Sequence, residues 1–363
     1  MRSAPILAAC FWALSWSTAV QAREDPSTVE APTRQELDQV REWIQRHPDS
    51  VATRTERRER IAVIDRACDA LPQETFKEYC KAWEDSPSRA NELERDGVLY
   101  YLHQARNAAI EDIRRTQLKK GVAIWHLYNM GYVFKTPESC FGIDIYLRDA
   151  KDLAPDLDFL LVTHEHRDHK SDDLIAAMIA AKKPVLARFA CGGPVIKEPC
   201  EFKFGAIRVK VDLGDHRQKE PARRNDMLMF QVDCGASGND RVIYHSGDGS
   251  NFLKMTPDKP VDVFIVHVNM DMRPDDAISH LKPKTTLVSH VQELGHALKP
   301  PKARRWSYAF AFKAIRNTTR YEALVLTWGE RWLVPGTELV RAPAHPKGEV
   351  GPPSTIDPSE DRP

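Results

Sequence analysis

The sequence lacks an excess of charge of either sign and, beyond its N-terminus, lacks long apolar runs. Its 52 lysine and arginine residues balance 52 aspartate and glutamate residues, so the formal net charge is zero. This balance excludes the broad basic surface on which nucleic-acid binding depends. No internal stretch reaches the roughly 18 apolar residues that a membrane-spanning helix requires. Because the hydrophobic fraction of 42% excludes wholesale disorder, we expect a globular protein with no nucleic-acid partner and no transmembrane segment.

The N-terminal 22 residues have the three parts of a secretory signal peptide. Arg2 gives a positive start, Ile6 to Val20 form an apolar core, and Ala22 places a small residue at the cleavage site. We therefore expect residues 1–22 to be removed and the protein to act in the periplasm or outside the cell. Lipid attachment at Cys10 and a buried N-terminal helix are the two alternatives.

Cysteine is scarce, with seven in 363 residues, and no pair has the C-x-x-C spacing of a thiolate metal site. Apart from Cys10, the cysteines of an exported chain would enter an oxidising compartment, where disulfides form. Two pairs flank short turns, Cys68 with Cys80 and Cys191 with Cys200. We predict that at least one of these pairs is a disulfide, with buried free thiols as the alternative.

Residues 23–120 are predicted to form a helical extension. Thr33 and Glu36 have the spacing of a capping box, and apolar residues follow at helical intervals. A second apolar stripe begins at Ser86-Pro87. We expect this extension to pack on the main domain, with a lid or a partner-docking role as the alternative. At the other end, residues 341–363 are rich in proline and poor in large apolar residues, which predicts a disordered tail.

Residues 121–340 change from helical to strand patterns. Val122–Tyr128 and Tyr132–Lys135 are predicted to form a hairpin. Phe159–Thr163 is a short continuous apolar run, typical of a strand covered on both faces, whereas Ile207–Leu213 alternates like a half-buried strand. Helical segments are interspersed among these strands, and this order predicts a layered α/β arrangement.

Four candidate metal ligands follow the buried strand directly. The segment THEHRDH contains His164, His166, Asp168 and His169. In a loop that leaves a strand, His164 and His166 can face one ion while Asp168 and His169 turn back to a second. Imidazoles combined with a carboxylate suit zinc and other borderline divalent metals. A solvated polar loop is the alternative.

At this motif the sequence resembles the metallo-β-lactamase superfamily, whose H-x-H-x-D-H signature corresponds to His164 to His169. The resemblance extends over Val122 to Pro335. It implies the α/β fold of an αββα four-layer sandwich, to which the helical extension is added. It also implies three further ligands, each after a predicted strand: His216, Asp248 and His290. Gly249 departs from the family, because a threonine is more common there and its hydroxyl is missing.

The resemblance implies that two divalent metal ions, both zinc, are bound and that the ligands are divided between them. One ion is held by His164, His166 and His216, the other by Asp168, His169 and His290, with Asp248 between them. Water between the ions is the implied nucleophile, because metal binding lowers its pKa and produces a bridging hydroxide. Asp168 is implied to be catalytic, since its carboxylate can bind the second ion and orient that hydroxide.

Other histidines compete with this ligand set. His245 lies inside a predicted strand, so His216 is preferred as the third ligand. His267 also lies inside a strand and is predicted to be a core residue, and His280 is predicted to lie on a helix away from the site. His296 follows the last ligand segment and is predicted to contact the substrate or the metal ligands.

These features predict an exported hydrolase that cleaves an ester, a lactone or a phosphodiester in a small-molecule or lipid-like substrate. Lys282-Pro283-Lys284 and Ser246-Gly247-Asp248 are most similar to the branch containing ascorbate-phosphate lactonase and N-acylphosphatidylethanolamine phospholipase D. The alternatives are hydrolysis of a β-lactam or another amide, and a non-enzymatic metal-binding or partner-docking protein. The metal centre determines the reaction class and leaves the substrate and the oligomeric state open.

Overall fold

The computed structural model describes residues 30–47, 55–217, 219–269, 271–298, 305–315 and 322–340. The predicted signal peptide at 1–22 and the predicted tail at 341–363 lie outside these ranges. Among the described residues, no helix combines the length and the apolar character needed to cross a bilayer.

Helices dominate the chain up to residue 115, and strands dominate after it. The helices are α1 (Arg34–Arg46), α2 (Thr55–Asp69), α3 (Gln73–Asp85), α4 (Pro87–Leu93), α5 (Gly97–Arg115), α6 (Asp172–Ala180), α7 (Pro274–Leu281) and α8 (Tyr308–Ala314). The strands are β1 (Leu118–Lys120), β2 (Ala123–Tyr128), β3 (Gly131–Lys135), β4 (Cys140–Ile143), β5 (Phe159–Leu161), β6 (Val185–Leu186), β7 (Cys200–Phe204), β8 (Ile207–Gly214), β9 (Met227–Asp233), β10 (Val242–His245), β11 (Val263–His267), β12 (Thr285–Ser289), β13 (Glu322–Leu324), β14 (Arg331–Leu333) and β15 (Glu338–Leu339).

The strands form two large mixed sheets and one small antiparallel pair, β1 with β15. The first sheet has the order β14-β2-β3-β4-β5-β6, and the second has the order β13-β12-β11-β10-β9-β8-β7. Parallel pairing runs from β4 to β6 in the first sheet and from β10 to β13 in the second. The predicted hairpin is present, since β2 and β3 pair antiparallel around the turn at Asn129-Met130.

The inner faces of the two sheets bury a common apolar core. A row of stacked phenylalanine rings crosses it: Phe134 on Phe141 at 4.9 Å, Phe141 on Phe159 at 4.8 Å, and Phe159 on Phe204 at 4.3 Å between ring centroids. Phe204 belongs to the second sheet, so this row joins the two sheets. Offset aromatic pairs of this kind add to the stabilisation from burial alone. Helices cover the outer faces, which confirms the predicted αββα sandwich.

The N-terminal helices pack directly on the sandwich. Arg57 in α2 is 1% exposed and makes a buried ion pair with Glu330, 2.6 Å from Oε2. Trp125 in β2 donates through Nε1 to the Asp112 carboxylate of α5 at 2.8 Å. Asp65 in α2 accepts hydrogen bonds from the first backbone amides of α8. These contacts hold the helices as part of the folded body, as the sequence predicts.

Several elements differ from the sequence prediction. Strand β1 (Leu118–Lys120) lies within the segment predicted to be helical, and β15 was not predicted. The stripe after Ser86 is divided into α4 and α5, because Gly97 adopts a left-handed backbone with φ of +61° at the start of α5. Strand β7 was not predicted from the pattern of its residues. It is an edge strand whose residues alternate between exposed and half-buried positions, so it lacks the fully buried face that marks most strands.

The structure contains neither of the two predicted disulfides. In the described part of the chain, none of the cysteines from Cys68 to Cys234 is bonded to another. Cys80 lies in α3 and instead accepts a hydrogen bond from the Tyr146 hydroxyl at 3.2 Å. Cys68 is buried within α2, and short spacing along the chain did not bring the two thiols into pairing geometry. The alternative of buried thiols therefore describes this pair.

Candidate metal centre

The predicted ligands lie at the ends of strands along one edge of the sandwich. The segment from Thr163 to His169 follows β5, while His216 follows β8, Asp248 follows β10 and His290 follows β12. Because β10, β11 and β12 run parallel, the loops after β10 and β12 leave the sheet at the same end. The structure brings all seven predicted ligands together there.

A first group of ligands surrounds one oxygen of Asp248. The candidate ligand atoms of His164, His166, His216 and Asp248 lie within 4.8 Å of one another. Nε2 of His216 lies 3.5 Å from Oδ2 of Asp248, and Nε2 of His164 lies 3.9 Å from the same oxygen. Three imidazoles and a carboxylate suit a zinc-like cation.

The second group consists of Asp168, His169 and His290, again within 4.8 Å of one another. Nε2 of His290 lies 3.2 Å from Oδ2 of Asp168, and Nε2 of His169 lies 3.6 Å from that oxygen. Asp248 reaches this group as well, because its Oδ1 lies 3.2 Å from Nε2 of His169. Asp248 is therefore in contact with both groups, in the position predicted for a shared ligand.

The donor atoms fit divalent cations. Among the described residues, Asp168 and Asp248 have no lysine or arginine within ion-pair distance, and their only such partners are imidazoles. Nε2 of His164 and Nε2 of His169 are buried and have no hydrogen-bond partner. Buried polar atoms and charges without partners are costly. Cations bound between the nitrogens and the carboxylates would satisfy both.

The pKa values of the cluster follow from burial and close charges. Burial, together with the neighbouring His169, lowers the pKa of His164 well below its ordinary value, which favours the neutral imidazole that ligates metals. Burial opposes charge on Asp168, yet the neighbouring His169 and a hydrogen bond from His290 lower the pKa of this carboxyl. His169 is buried too, but the Asp248 and Asp168 carboxylates raise its pKa above its ordinary value. The cluster therefore favours positive charge beside its carboxylates.

Asp144 fixes the ring of His169. It follows β4, is fully buried, and accepts a hydrogen bond from Nδ1 of His169 at 2.9 Å. The same carboxylate accepts from the backbone amide and hydroxyl of Thr163 at 2.8 and 2.7 Å. A proton held on Nδ1 leaves the Nε2 lone pair facing the site, as in the carboxylate-histidine arrangements of metal centres.

Asn129 positions Asp168 from the turn between β2 and β3. Its side-chain amide donates to Oδ2 of Asp168 at 3.0 Å and to the Asp168 carbonyl at 3.1 Å. Its own carbonyl accepts from the backbone amide of His290 at 3.3 Å. One residue of the first sheet thus holds ligands from two different loops.

Several backbones at the centre adopt the left-handed region. Asp144, Asn129 and His290 have φ of 50°, 54° and 60°. Asparagine, aspartate and histidine are the non-glycine residues found most often in this region, yet each conformation still costs about 1–3 kcal/mol. Such strain is retained where surrounding contacts overdetermine it, and it clusters at functional sites.

His267 is closer to the centre than the sequence predicted. It is buried at the end of β11, as expected of a core residue, but its ring lies 4.1 Å from that of His290 between centroids. It also forms a possible third ligand group with Asp248 and His290. Its Nδ1 accepts the backbone amide of Asn269 at 2.9 Å, so the neutral ring carries its proton on Nε2 and offers no lone pair there. This tautomer makes His267 a hydrogen-bond donor beside the ligands.

The other competing histidines are engaged elsewhere. Nε2 of His245 lies 3.0 Å from the Met130 carbonyl, and its Nδ1 accepts the amide of Gly247 at 3.1 Å. His280 lies on α7, with Nε2 3.1 Å from the Met255 carbonyl. Neither belongs to a ligand group among the described residues.

His296 lies over the second group. Its ring stacks on His290 at 5.2 Å between centroids with an interplanar angle of 23°. It lines a cavity of about 300 Å³ that also reaches Asp168.

Asp144→Asn is expected to lower metal affinity at the second group about 10- to 100-fold, because the His169 ring loses the acceptor that orients it. Titration of metal-free protein with zinc, followed by calorimetry, measures this effect. Binding at the first group is expected to change less.

The control is Asp152→Asn, an exposed carboxylate in the turn after β4 that contacts no ligand. Its two zinc affinities are expected to match those of the unmodified protein. Equal losses in both variants would contradict the role given to Asp144.

A family model described as "Beta-lactamase superfamily domain" matches residues 102–301, more than half of the chain. The match begins within α5 and includes every predicted metal ligand. No curated protein shows significant sequence similarity to the chain.

Solved structures of similar fold share little sequence with this protein. A possible metal-dependent hydrolase from Veillonella parvula is 16% identical, with a TM-score of 0.46, and the alignment covers 59% of this chain and 99% of the other. Isothiocyanate hydrolase from Delia radicum gut bacteria is 15% identical, with a TM-score of 0.45 and coverages of 58% and 98%. A metallo-β-lactamase fold protein from Bacillus subtilis is 13% identical, with a TM-score of 0.44 and coverages of 58% and 98%.

Proposed function

The chain belongs to the β-lactamase superfamily, and we propose that it is a hydrolase whose centre holds two zinc ions. The observation that carries this proposal is the pair of ligand groups that share Asp248 at one edge of the sandwich. His164, His166 and His216 would hold one cation, and Asp168, His169 and His290 the other. When bound, the cations would lower the pKa of a coordinated water and polarise the bond to be cleaved.

Asp168 is the carboxylate placed to act on the reacting water. Its side chain is 19% exposed, against 6% for Asp248, and it lines the cavity. It can therefore accept a hydrogen bond from an incoming water molecule, while Asn129 and His290 hold its other contacts. The buried ligands around it keep bulk water away from the other carboxylate.

The substrate we propose is an ester, a lactone or a phosphodiester. This choice is supported by Ser246-Gly247-Asp248 and Lys282-Pro283-Lys284, which resemble the branch with ascorbate-phosphate lactonase and N-acylphosphatidylethanolamine phospholipase D. Asp248 of the first segment contacts both ligand groups. We also propose export to the periplasm or the medium, on the strength of the signal-peptide pattern in residues 1–22.

Purified protein is expected to contain about two equivalents of zinc per chain and to hydrolyse members of a panel of esters, lactones and phosphodiesters. Removal of the metal with a chelator should abolish turnover and lower the melting temperature, because the carboxylates lose their counter-charge. Restoring zinc should recover both. Elemental analysis, a hydrolysis screen and thermal unfolding measure these results.

Three outcomes would contradict parts of this proposal. Faster turnover of β-lactams than of any ester, lactone or phosphodiester would overturn the substrate class. Bound metal without hydrolysis of any panel member would favour a non-enzymatic role. Failure to bind divalent metal at all would overturn the centre itself.

A further inference from the structure

The cavity beside the metal centre is partly built by the N-terminal helical extension. Phe76, Lys77 and Cys80 of α3 line it, opposite Asp168 and His296. The family model starts at residue 102, so α3 lies outside the matched region. One wall of the cavity is therefore formed by the helical extension, outside the region that the family model matches.

Helix α3 is fixed in this position by contacts with the loop that carries His296. The Gln73 side-chain amide donates to the Gly295 carbonyl. Phe76 is 3% exposed, and its ring lies 6.2 Å from that of Tyr128 between centroids. Just before α3, the Leu71 carbonyl accepts a hydrogen bond from Arg305 at 3.2 Å. The first turn of α3 and the segment before it are thus anchored on the main domain.

The inner part of the cavity is apolar. Phe76 and Tyr146 present rings to it, and the Tyr146 hydroxyl is occupied because it donates to Cys80. Burial raises the pKa of the Cys80 thiol to about 11, so this thiol stays neutral. An uncharged, apolar group fits these three side chains.

The outer part of the cavity carries positive charge. Lys77 is about half exposed and pairs with Glu74 at 2.8 Å, and Arg167 is exposed with no ion-pair partner among the described residues. The Glu293 carboxylate also lines the cavity but is 3% exposed, and its Oε1 accepts from Tyr128 and Gly295. Lys77 and Arg167 are therefore the exposed charged side chains of the outer part, whereas Asp168 is 19% exposed and lies at the ligands.

We propose that α3 selects substrates that join a compact apolar group to an anionic group. The apolar group would lie against Phe76 and Tyr146, and the anion would reach Lys77 and Arg167 at the rim. A cavity of about 300 Å³ is at the small end of ligand sites, which favours a compact molecule over a whole lipid chain. This inference rests on the proposed function, because it names the substrate class of the same centre.

The charge at the rim is tested with Lys77→Glu, and Lys81→Glu is the matched control. Lys81 lies one turn further along α3, is exposed and does not line the cavity. The substrates are the 4-nitrophenyl monoester of glutaric acid and 4-nitrophenyl pentanoate, which have similar lengths and differ in one charge. Lys77→Glu is expected to raise the ratio of the KM values, anionic over neutral, about fivefold, and the effect should shrink at high salt. Lys81→Glu should leave this ratio unchanged.

The apolar wall is tested with Phe76→Ala, which should reduce the preference for 4-nitrophenyl pentanoate over 4-nitrophenyl acetate. Circular dichroism checks that this variant folds. If it does not, Phe76→Leu replaces it, because this change keeps most of the buried volume. A preference unchanged in the folded variant would overturn the apolar half of the proposal.

Binding of glutarate to the zinc-loaded protein, measured by calorimetry, separates the two proposals. Suppose that no ester is hydrolysed but that Lys77→Glu weakens glutarate binding and Lys81→Glu does not. The proposal that α3 selects the ligand is then supported, and the proposed hydrolase function is wrong. If esters are hydrolysed but Lys77→Glu and Lys81→Glu have the same KM ratio and the same glutarate affinity, the hydrolase function is supported and selection by α3 is overturned. Selection by α3 would also be overturned if glutarate bound no more tightly than pentanoate to the unmodified protein.

Discussion

Replacing Asp168 with alanine is expected to abolish hydrolysis while most of the metal at the first ligand group is retained. Asp168 belongs to the second group and has its closest contacts with His290 and Asn129, so its loss leaves the three histidines of the first group intact. It is also the ligand carboxylate that reaches the cavity. We expect kcat to fall by at least about a thousandfold. Steady-state kinetics on a substrate found in the hydrolysis screen, with elemental analysis of the same sample, measures both parts.

Further histidine variants test the ligand assignment around Asp168. His166→Ala should lose metal as well as activity, because it removes one of three imidazoles from the first group. His280→Ala should change neither the metal content nor the activity, since His280 lies on α7 and contacts the Met255 carbonyl. If His280→Ala strips metal while His290→Ala retains it, the ligand assignment after β12 is wrong.

Arg57→Met is expected to destabilise the protein by about 3–5 kcal/mol, because it leaves the Glu330 carboxylate buried without its cation. The two side chains are 1% and 2% exposed, and the pair is held by contacts of 2.6 and 2.8 Å. Glu330 also accepts hydrogen bonds from Thr327, so it cannot turn outward without further loss. The free energy of unfolding, obtained from urea denaturation, measures the effect.

The double variant Arg57→Met with Glu330→Leu should recover much of this loss, since it removes both buried charges together. Arg60→Met is the single-site control on the same helix. Its ion pair with Glu56 is 3.8 Å long and solvent-exposed, so the change should fall below about 1 kcal/mol. If Arg60→Met lowered the free energy of unfolding as much as Arg57→Met, the buried ion pair would contribute no more to stability than the exposed one.

Local patterns in the sequence predicted a layered α/β arrangement and the ligand cluster from His164 to His169, whereas the αββα sandwich and the ligands His216, Asp248 and His290 were implied by the family resemblance. Apolar runs such as Phe159–Thr163 mark buried strands, and ligand residues directly after strands must lie at a sheet edge. His216 could be preferred over His245 because it follows its strand, and the structure shows both nitrogens of His245 engaged elsewhere. That these residues bind metal stays a prediction.

The residues that support the ligands were missed because their roles depend on tertiary contacts. Asn129 looked like a turn residue, and its amide reaches Asp168 only when the hairpin lies beside the loop after β5. Asp144 carried a usable signal, because it directly follows β4, which is parallel to β5. Its burial beneath His169 could not be read from spacing. The place of α3 over the centre was equally hidden, since no pattern in the helix indicates what it covers.

The ion pair between Arg57 and Glu330 has a consequence for the order in which this chain can fold. Its two residues are 273 positions apart, and β14, which follows Glu330, completes the first sheet beside β2. During synthesis, α2 and the outer edge of β2 are therefore made long before their partners exist. Contacts this distant along the chain slow folding and leave early segments exposed. The ion pair that holds α2 against the sandwich can form only after Glu330 has emerged from the ribosome.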